Sequence, residues 1–187
     1  AADELPVPRW LLRPPRPAGL SVTDCAVIEA TEALPALPLP EVPTREQIER
    51  LEREMLAMEQ ARPDAIVALP TWHHFADGLA ARTICIKAGT LLTGAAHLGD
   101  HLNVAHGDIT VWTEDGMRRL VGYHVLPSRA GAKRVGLAHA DTWWTTVHAN
   151  PDNCRDEREL ERRFVEDPHM LQSNRMPQLA CETVELI

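Results

Sequence analysis

Two hydrophobic periods divide this chain. Between Thr44 and Arg62 the apolar residues Ile48, Leu51, Met55 and Met58 step by three, four and three, with charges between them. That is the pattern of an amphipathic helix with a narrow apolar seam. Thr44 followed by Gln47 makes a capping box, and Pro63 ends the run. Glu46–Arg50 and Glu49–Arg53 are four-apart pairs of the favourable orientation. From residue 65 to 150 the period changes to two. Runs at 65–69, 79–87, 91–96, 100–106, 108–113, 117–126 and 133–149 alternate between glycines, which predicts short antiparallel strands. Glu114-Asp115-Gly116 predicts a hairpin turn, because glycine accepts the positive φ such a turn needs. At 155–166, RDERELERRFVE predicts a short charged helix with Leu160 and Phe164 as its apolar edge, ended by Pro168.

The implied fold is mainly β: one jelly-roll barrel over 65–150, preceded by an extended arm (1–43) and an amphipathic helix (44–64), and followed by a short helix and tail (151–187). Nine of the fifteen prolines fall in residues 1–43, which favours extended backbone over helix. Such an arm has little core of its own, so a neighbouring subunit is its expected support, with Trp10, Leu11 and Leu12 as anchors. The seam of Ile48, Leu51, Met55 and Met58 either lies on the chain's own barrel or meets a second subunit. These seven are the candidate interface residues.

Composition narrows the partners. A net charge of −8 and a pI near 5.6 disfavour a nucleic-acid backbone, which calls for a basic face. No apolar run approaches the roughly 18 residues of a membrane span, and AADELPVPRW lacks the basic-then-apolar order of a signal peptide. Four scattered cysteines without knuckle spacing point to reduced thiols. No phosphate loop, nucleophile elbow or Cys/His dyad signature is present.

The candidate chemistry lies between His97 and His148. His97 and His101, four apart in alternating sequence, are expected on one face of an extended strand together with Asn103, with Leu102 and Val104 on the other. Neutral imidazoles on a barrel wall suit a divalent metal, and His139 or His148 on the closing strands is placed to add a third ligand. The alternative is that hydrogen bonds inside a polar barrel satisfy these histidines. His73 and His74 face opposite ways on any strand and cannot share a site. His106 is expected at a turn beside Gly107. Trp143 and Trp144 are expected to divide between core and exterior, with Trp112 packed on a neighbouring strand.

Gly89-Thr90, His97, Asp100-His101-Leu102-Asn103, Gly107, Pro127, Gly131, Lys133-Arg134-Val135, Ala138-His139, Asp141-Thr142 and Trp144-Thr145-Thr146-Val147-His148 together resemble a single-domain cupin, in particular the small cupin-like proteins of tailed phages. The resemblance covers roughly 72–150. In the cupin pattern a first motif carries two histidines one residue apart, then a glutamate and a glycine. A second motif carries a proline, a glycine and a third histidine. Here Ala95 stands in place of the first histidine, His101 falls near the glutamate, and Arg134 occupies roughly the second-motif histidine's slot. Arg134 is therefore expected to pair with Asp100 or Asp141 inside the barrel, or to bind an anion. The phage-like resemblance and the arms imply a non-enzymatic virion protein with no cofactor, a capsid decoration or tail-associated jelly roll. Such a protein is made in the host cytoplasm and binds other virion proteins and copies of itself. The alternative is a metal-dependent cupin enzyme or small-molecule-binding cupin that uses the histidine cluster.

Overall fold

The computed structural model describes residues 26–29, 39–61 and 69–166. Trp10, Leu11, Leu12, the run at 65–68 and the tail beyond 166 lie outside these residues, as does the side chain of Met58. The elements in chain order are β1 (Ala26–Glu29), α1 (Arg45–Ala61), β2 (Thr71–Ala76), β3 (Gly78–Ile86), β4 (Thr90–Gly94), β5 (His101–Thr113), β6 (Gly116–Ser128), β7 (Arg134–Asn150) and α2 (Glu157–Phe164). All strand pairings among the described residues are antiparallel, and the chain folds as a mainly β jelly roll.

The long strand β7 is the spine of the sheet. Along one edge it pairs with β5; along the other it pairs first with β4 and then with β3. One strand held by three partners bends the sheet around a single interior. There Ile84, Ile86, Leu92, Ala105, Ile109, Val111, Ala138 and Trp144 form the core. The outer face of the same strands is also covered at one end. Leu91, Trp112 and Val135, adjacent in sequence to the inward Leu92, Val111 and Gly136, pack against Ile48, Leu51 and Met55 of α1. Period-two alternation thus carries apolar groups on both faces where a helix lies outside.

Helix α1 begins with both bonds of the predicted capping box, Thr44 N–H to Gln47 Oε1 (2.8 Å) and Gln47 N–H to Thr44 Oγ1 (3.3 Å). Of its seam, Ile48, Leu51 and Met55 are buried on the chain's own barrel. A buried ion pair, Lys133 Nζ–Glu52 Oε1 at 2.8 Å, fastens the same helix to β7's approach. The ion pairs along the helix are Arg45–Glu49 and Arg50–Glu54 rather than the Glu-first pairs expected. Arg45 also reaches Glu166 (2.6 Å) and the Gly131 carbonyl (3.1 Å), joining α1 to the segment after α2 and to the turn before β7.

The leader was expected to rest on a neighbour. In its described part, β1 adds to β4 and Leu39 packs on the α1 cluster, so this portion lies on its own barrel. Strand β2 escaped the sequence pattern because Trp72-His73-His74-Phe75 has no alternation; its pairing with β3 makes it a strand. The runs 100–106 and 108–113 are one strand. Gly107 is a bulge within it, at φ +148, and a Cβ there would stand 2.4 Å from Thr142 Oγ1. His106 therefore sits in mid-strand, not at a turn.

Candidate metal centre

Three imidazoles meet at the end of the barrel where α2 packs. His101 opens β5, and His148 lies near the end of β7, one step past the Leu102–Val147 pair. Their rings face each other with centroids 4.9 Å apart. Asn103 holds this register from the same face, its Oδ1 accepting from Trp144 Nε1 and Thr146 Oγ1, each at 3.0 Å.

His97 arrives differently from the expectation. It is not on the strand of His101 but in the segment before it, where a β-bridge joins it to Val165 beyond α2. Leu98 N–H to the Phe164 carbonyl, Glu166 N–H to the Ala96 carbonyl and Gly131 N–H to the His97 carbonyl secure that segment at 2.8–2.9 Å. The ring of His97 then lies 4.3 Å from His101 and 4.8 Å from His148, centroid to centroid. Phe164 of α2 stacks on the other side of His148 at 4.2 Å.

His97, His101 and His148 each present a ligand nitrogen, and these atoms lie within 4.8 Å of one another. His97 Nδ1, His101 Nε2 and His148 Nε2 are buried and make no hydrogen bond. Buried polar atoms are nearly always paired, so three orphaned lone-pair donors converging on one point call for a shared partner. His101 shows how its nitrogen is aimed: Nδ1–H donates to the Gly99 carbonyl at 3.0 Å, which leaves Nε2 as the unprotonated atom. Nitrogens each about 2.1 Å from one ion at tetrahedral angles stand about 3.4 Å apart, so the rings would draw together from their present spacing to hold it. The residues fit a divalent cation.

Electrostatics agree with a neutral triad. Burial pushes His97 down to about 2, reinforced by His101, His148, Arg134 and Arg82. Burial, with His101 beside it, pushes His148 down to about 4. His101 is also lowered by burial, against the opposing pull of the Gly99 carbonyl.

The other candidates are placed elsewhere. His139 is exposed and its Nε2 shares a 2.7 Å hydrogen bond with Thr110 Oγ1, so it does not join the cluster. Asp100 does not pair with Arg134; its carboxylate accepts the Ala130 N–H at 2.8 Å and shapes the turn after β6. Asp141 is held by Lys87 and the Ala88 N–H. Arg134 instead donates to the Ser128 hydroxyl and lies over Trp144, 5.7 Å from the ring centroid. His73 pairs with Glu157 of α2 at 2.9 Å. Trp144 is core while Trp143 stacks on Trp72.

His97 and His148 of the triad border a cavity of about 110 Å³ whose walls also include Ile84, Ile109, Val111 and Trp144, Arg82 and Arg134, and Leu160 and Phe164 of α2. The part played by α2 was hidden in the sequence. Its only signal was the apolar edge of Leu160 and Phe164 on an otherwise charged helix.

No family model matches the chain, and no curated protein matches it. Among solved structures it is similar to a cupin-2 domain protein from Shewanella frigidimarina, at 7% identity and TM-score 0.35, over 42% of this chain and 80% of that one. It is similar also to KdgF from a Halomonas species, at 16% identity and TM-score 0.39, over 48% and 82%. A third is salicylate 1,2-dioxygenase from Pseudoaminobacter salicylatoxidans, at 15% identity and TM-score 0.41, over 72% of this chain and 41% of that one. The expectation of a phage origin gains no support from these neighbours.

Proposed function

We propose that this chain is a metal-dependent cupin, an enzyme or small-molecule binder, with one divalent ion held by His97, His101 and His148. The observation that carries the reading is the convergence of three buried, unbonded imidazole nitrogens on one point. Three protein ligands leave coordination positions open, and an ion so held supplies Lewis acidity toward a ligand oxygen.

The chain's own residues prepare that chemistry. The Gly99 carbonyl fixes the tautomer of His101. Burial keeps His97 and His148 unprotonated at neutral pH, the state a metal ligand requires. Leu160, Phe164 and Val165 line the apolar side of the cavity. The non-enzymatic virion reading has no comparable observation behind it.

The test is metal analysis after loading the full chain with zinc, manganese, iron or nickel and removing excess. About one ion per chain is expected, falling to well below half in His101→Ala and His148→Ala. A folded chain that retains none of the four metals overturns the reading.

A further inference from the structure

Arg134 is a cation in search of a counter-charge. It lines the cavity, and burial lowers its pKa only to about 10, so it stays charged at neutral pH. Its visible partners are neutral: the hydroxyl of Ser128 and the face of Trp144. Among the described residues no carboxylate pairs with it. The acids on the surrounding elements are engaged otherwise: Asp100 with the Ala130 N–H, Asp141 with Lys87, Glu52 with Lys133, and Glu157 with His73. Glu161, on the α2 side of the cavity, also has its own interaction.

A guanidinium presents five donors in a planar fork, so after Ser128 several remain for an anion. The three imidazoles beside it are neutral, and a divalent ion among them would add like charge to the same cavity. An anionic ligand offsets both. Its apolar side is formed by Ile84, Ile109, Val111 and Trp144, while His73, Arg82, Thr146, Glu157 and Glu161 also border it. A cavity near 110 Å³ compares with the roughly 150 Å³ that accepts a benzene-sized body.

We infer that the cavity binds a small organic monocarboxylate, its carboxylate on the Arg134 guanidinium and its apolar body against Ile109 and Trp144. A carboxylate suits the site better than a phosphate, because Arg82 has an interaction of its own and Glu157 and Glu161 also border the cavity, so a single guanidinium without a carboxylate partner matches one negative charge and a planar pair of oxygens. The inference rests on the metal reading in one respect: it makes this anion the ligand that meets the ion's open side. The Arg134 contact itself needs no metal.

The test compares acetate, isobutyrate and benzoate with acetamide, isobutyramide and benzamide, by calorimetry on the full chain with and without one equivalent of zinc. At least one carboxylate is expected to bind about tenfold or more tightly than its amide. Arg134→Met should bring the pair to within about twofold, while Arg134→Lys retains part of the preference. Inorganic phosphate is the competing anion. Binding of no carboxylate, equal binding of carboxylate and amide, or phosphate bound more tightly than every carboxylate overturns the inference. Should Arg134→Met fail to fold, the carboxylate–amide comparison in the unaltered chain and in Arg134→Lys still decides. A carboxylate preference in a chain that retains no metal removes the metal reading alone; one bound ion with no such preference removes this inference alone.

Discussion

Phe164 and His148 lie face to face, their ring centroids 4.2 Å apart and their planes within 12°. The contact ties α2 to the strand that carries a candidate ligand and excludes water from one side of it. Phe164→Ala is expected to admit water and raise the His148 pKa from about 4 toward the ordinary 6.5, followed by the pH titration of its imidazole NMR signals. The cost in stability should be about 1–3 kcal/mol, below that of a fully buried aromatic ring. An unmoved titration would show that α2 does not shield the site.

Lys133 and Glu52 form a buried pair, with side chains 8% and 6% exposed, and Thr93 Oγ1 donates to the same Glu52 oxygen at 3.0 Å. Glu52→Ala leaves an ammonium group buried without its carboxylate and should cost about 3–5 kcal/mol in urea denaturation. The double variant Glu52→Leu, Lys133→Met removes both charges and should recover most of that loss. If the single variant is neutral, this ion pair does not help hold α1 to the barrel.

The metal-free chain should lose stability on acidification below neutrality. The imidazoles of His148 and His97 titrate near 6.5 when unfolded but are held to about 4 and about 2 when folded. Below pH 6.5 the unfolded state therefore binds more protons, and folding free energy falls with pH. The full contribution is present above about 6.5 and is lost progressively toward the folded values. For His148 the slope approaches about 1.4 kcal/mol per pH unit between pH 6 and 4. Urea midpoints at pH 7, 6 and 5 check this, with His148→Phe expected to flatten the dependence. An identical slope in that variant would assign it to other groups.

Gly107 sets the bulge at which β5 crosses β7. Its φ of +148 disfavours any side chain, and a Cβ would meet Thr142 Oγ1 at 2.4 Å and Thr142 Cα at 2.6 Å. Gly107→Ala should push the two strands apart and destabilise the chain by at least about 2 kcal/mol, read as a lowered melting temperature. Because β5 and β7 carry His101 and His148, metal retention should weaken as well. A variant with unchanged melting would mean the crossing can relax.

Much of the architecture was legible in local pattern. The capping box at Thr44 and Gln47, the seam of α1, the turn at Glu114-Asp115 and the apolar edge of α2 are near-neighbour features, and local chemistry decides them. The alternation of β5 correctly put His101 and Asn103 inward and Leu102 outward, because side-chain direction follows a period of two wherever the backbone stays extended. What pattern could not supply was anything that depends on which strand lies beside which. The spacing of His97 and His101 suggested a shared strand face, yet His97 reaches the cluster through a bridge to Val165, 68 residues later by numbering. His139 and His148 were equivalent candidates in sequence; the register of β7 turns one toward Thr110 and the other toward the triad. Arg134 was expected to pair with Asp100 or Asp141 or to bind an anion, and the turn that commits Asp100 to the backbone of Ala130, with Asp141 held by Lys87, leaves it at the cavity without an acid. Sequence alone determined both helices, most of the later strands and the supply of imidazoles, since these are properties of short stretches. Tertiary structure decided which nitrogens converge and which charge goes unanswered, since those depend on distances between segments that only the closed barrel brings together.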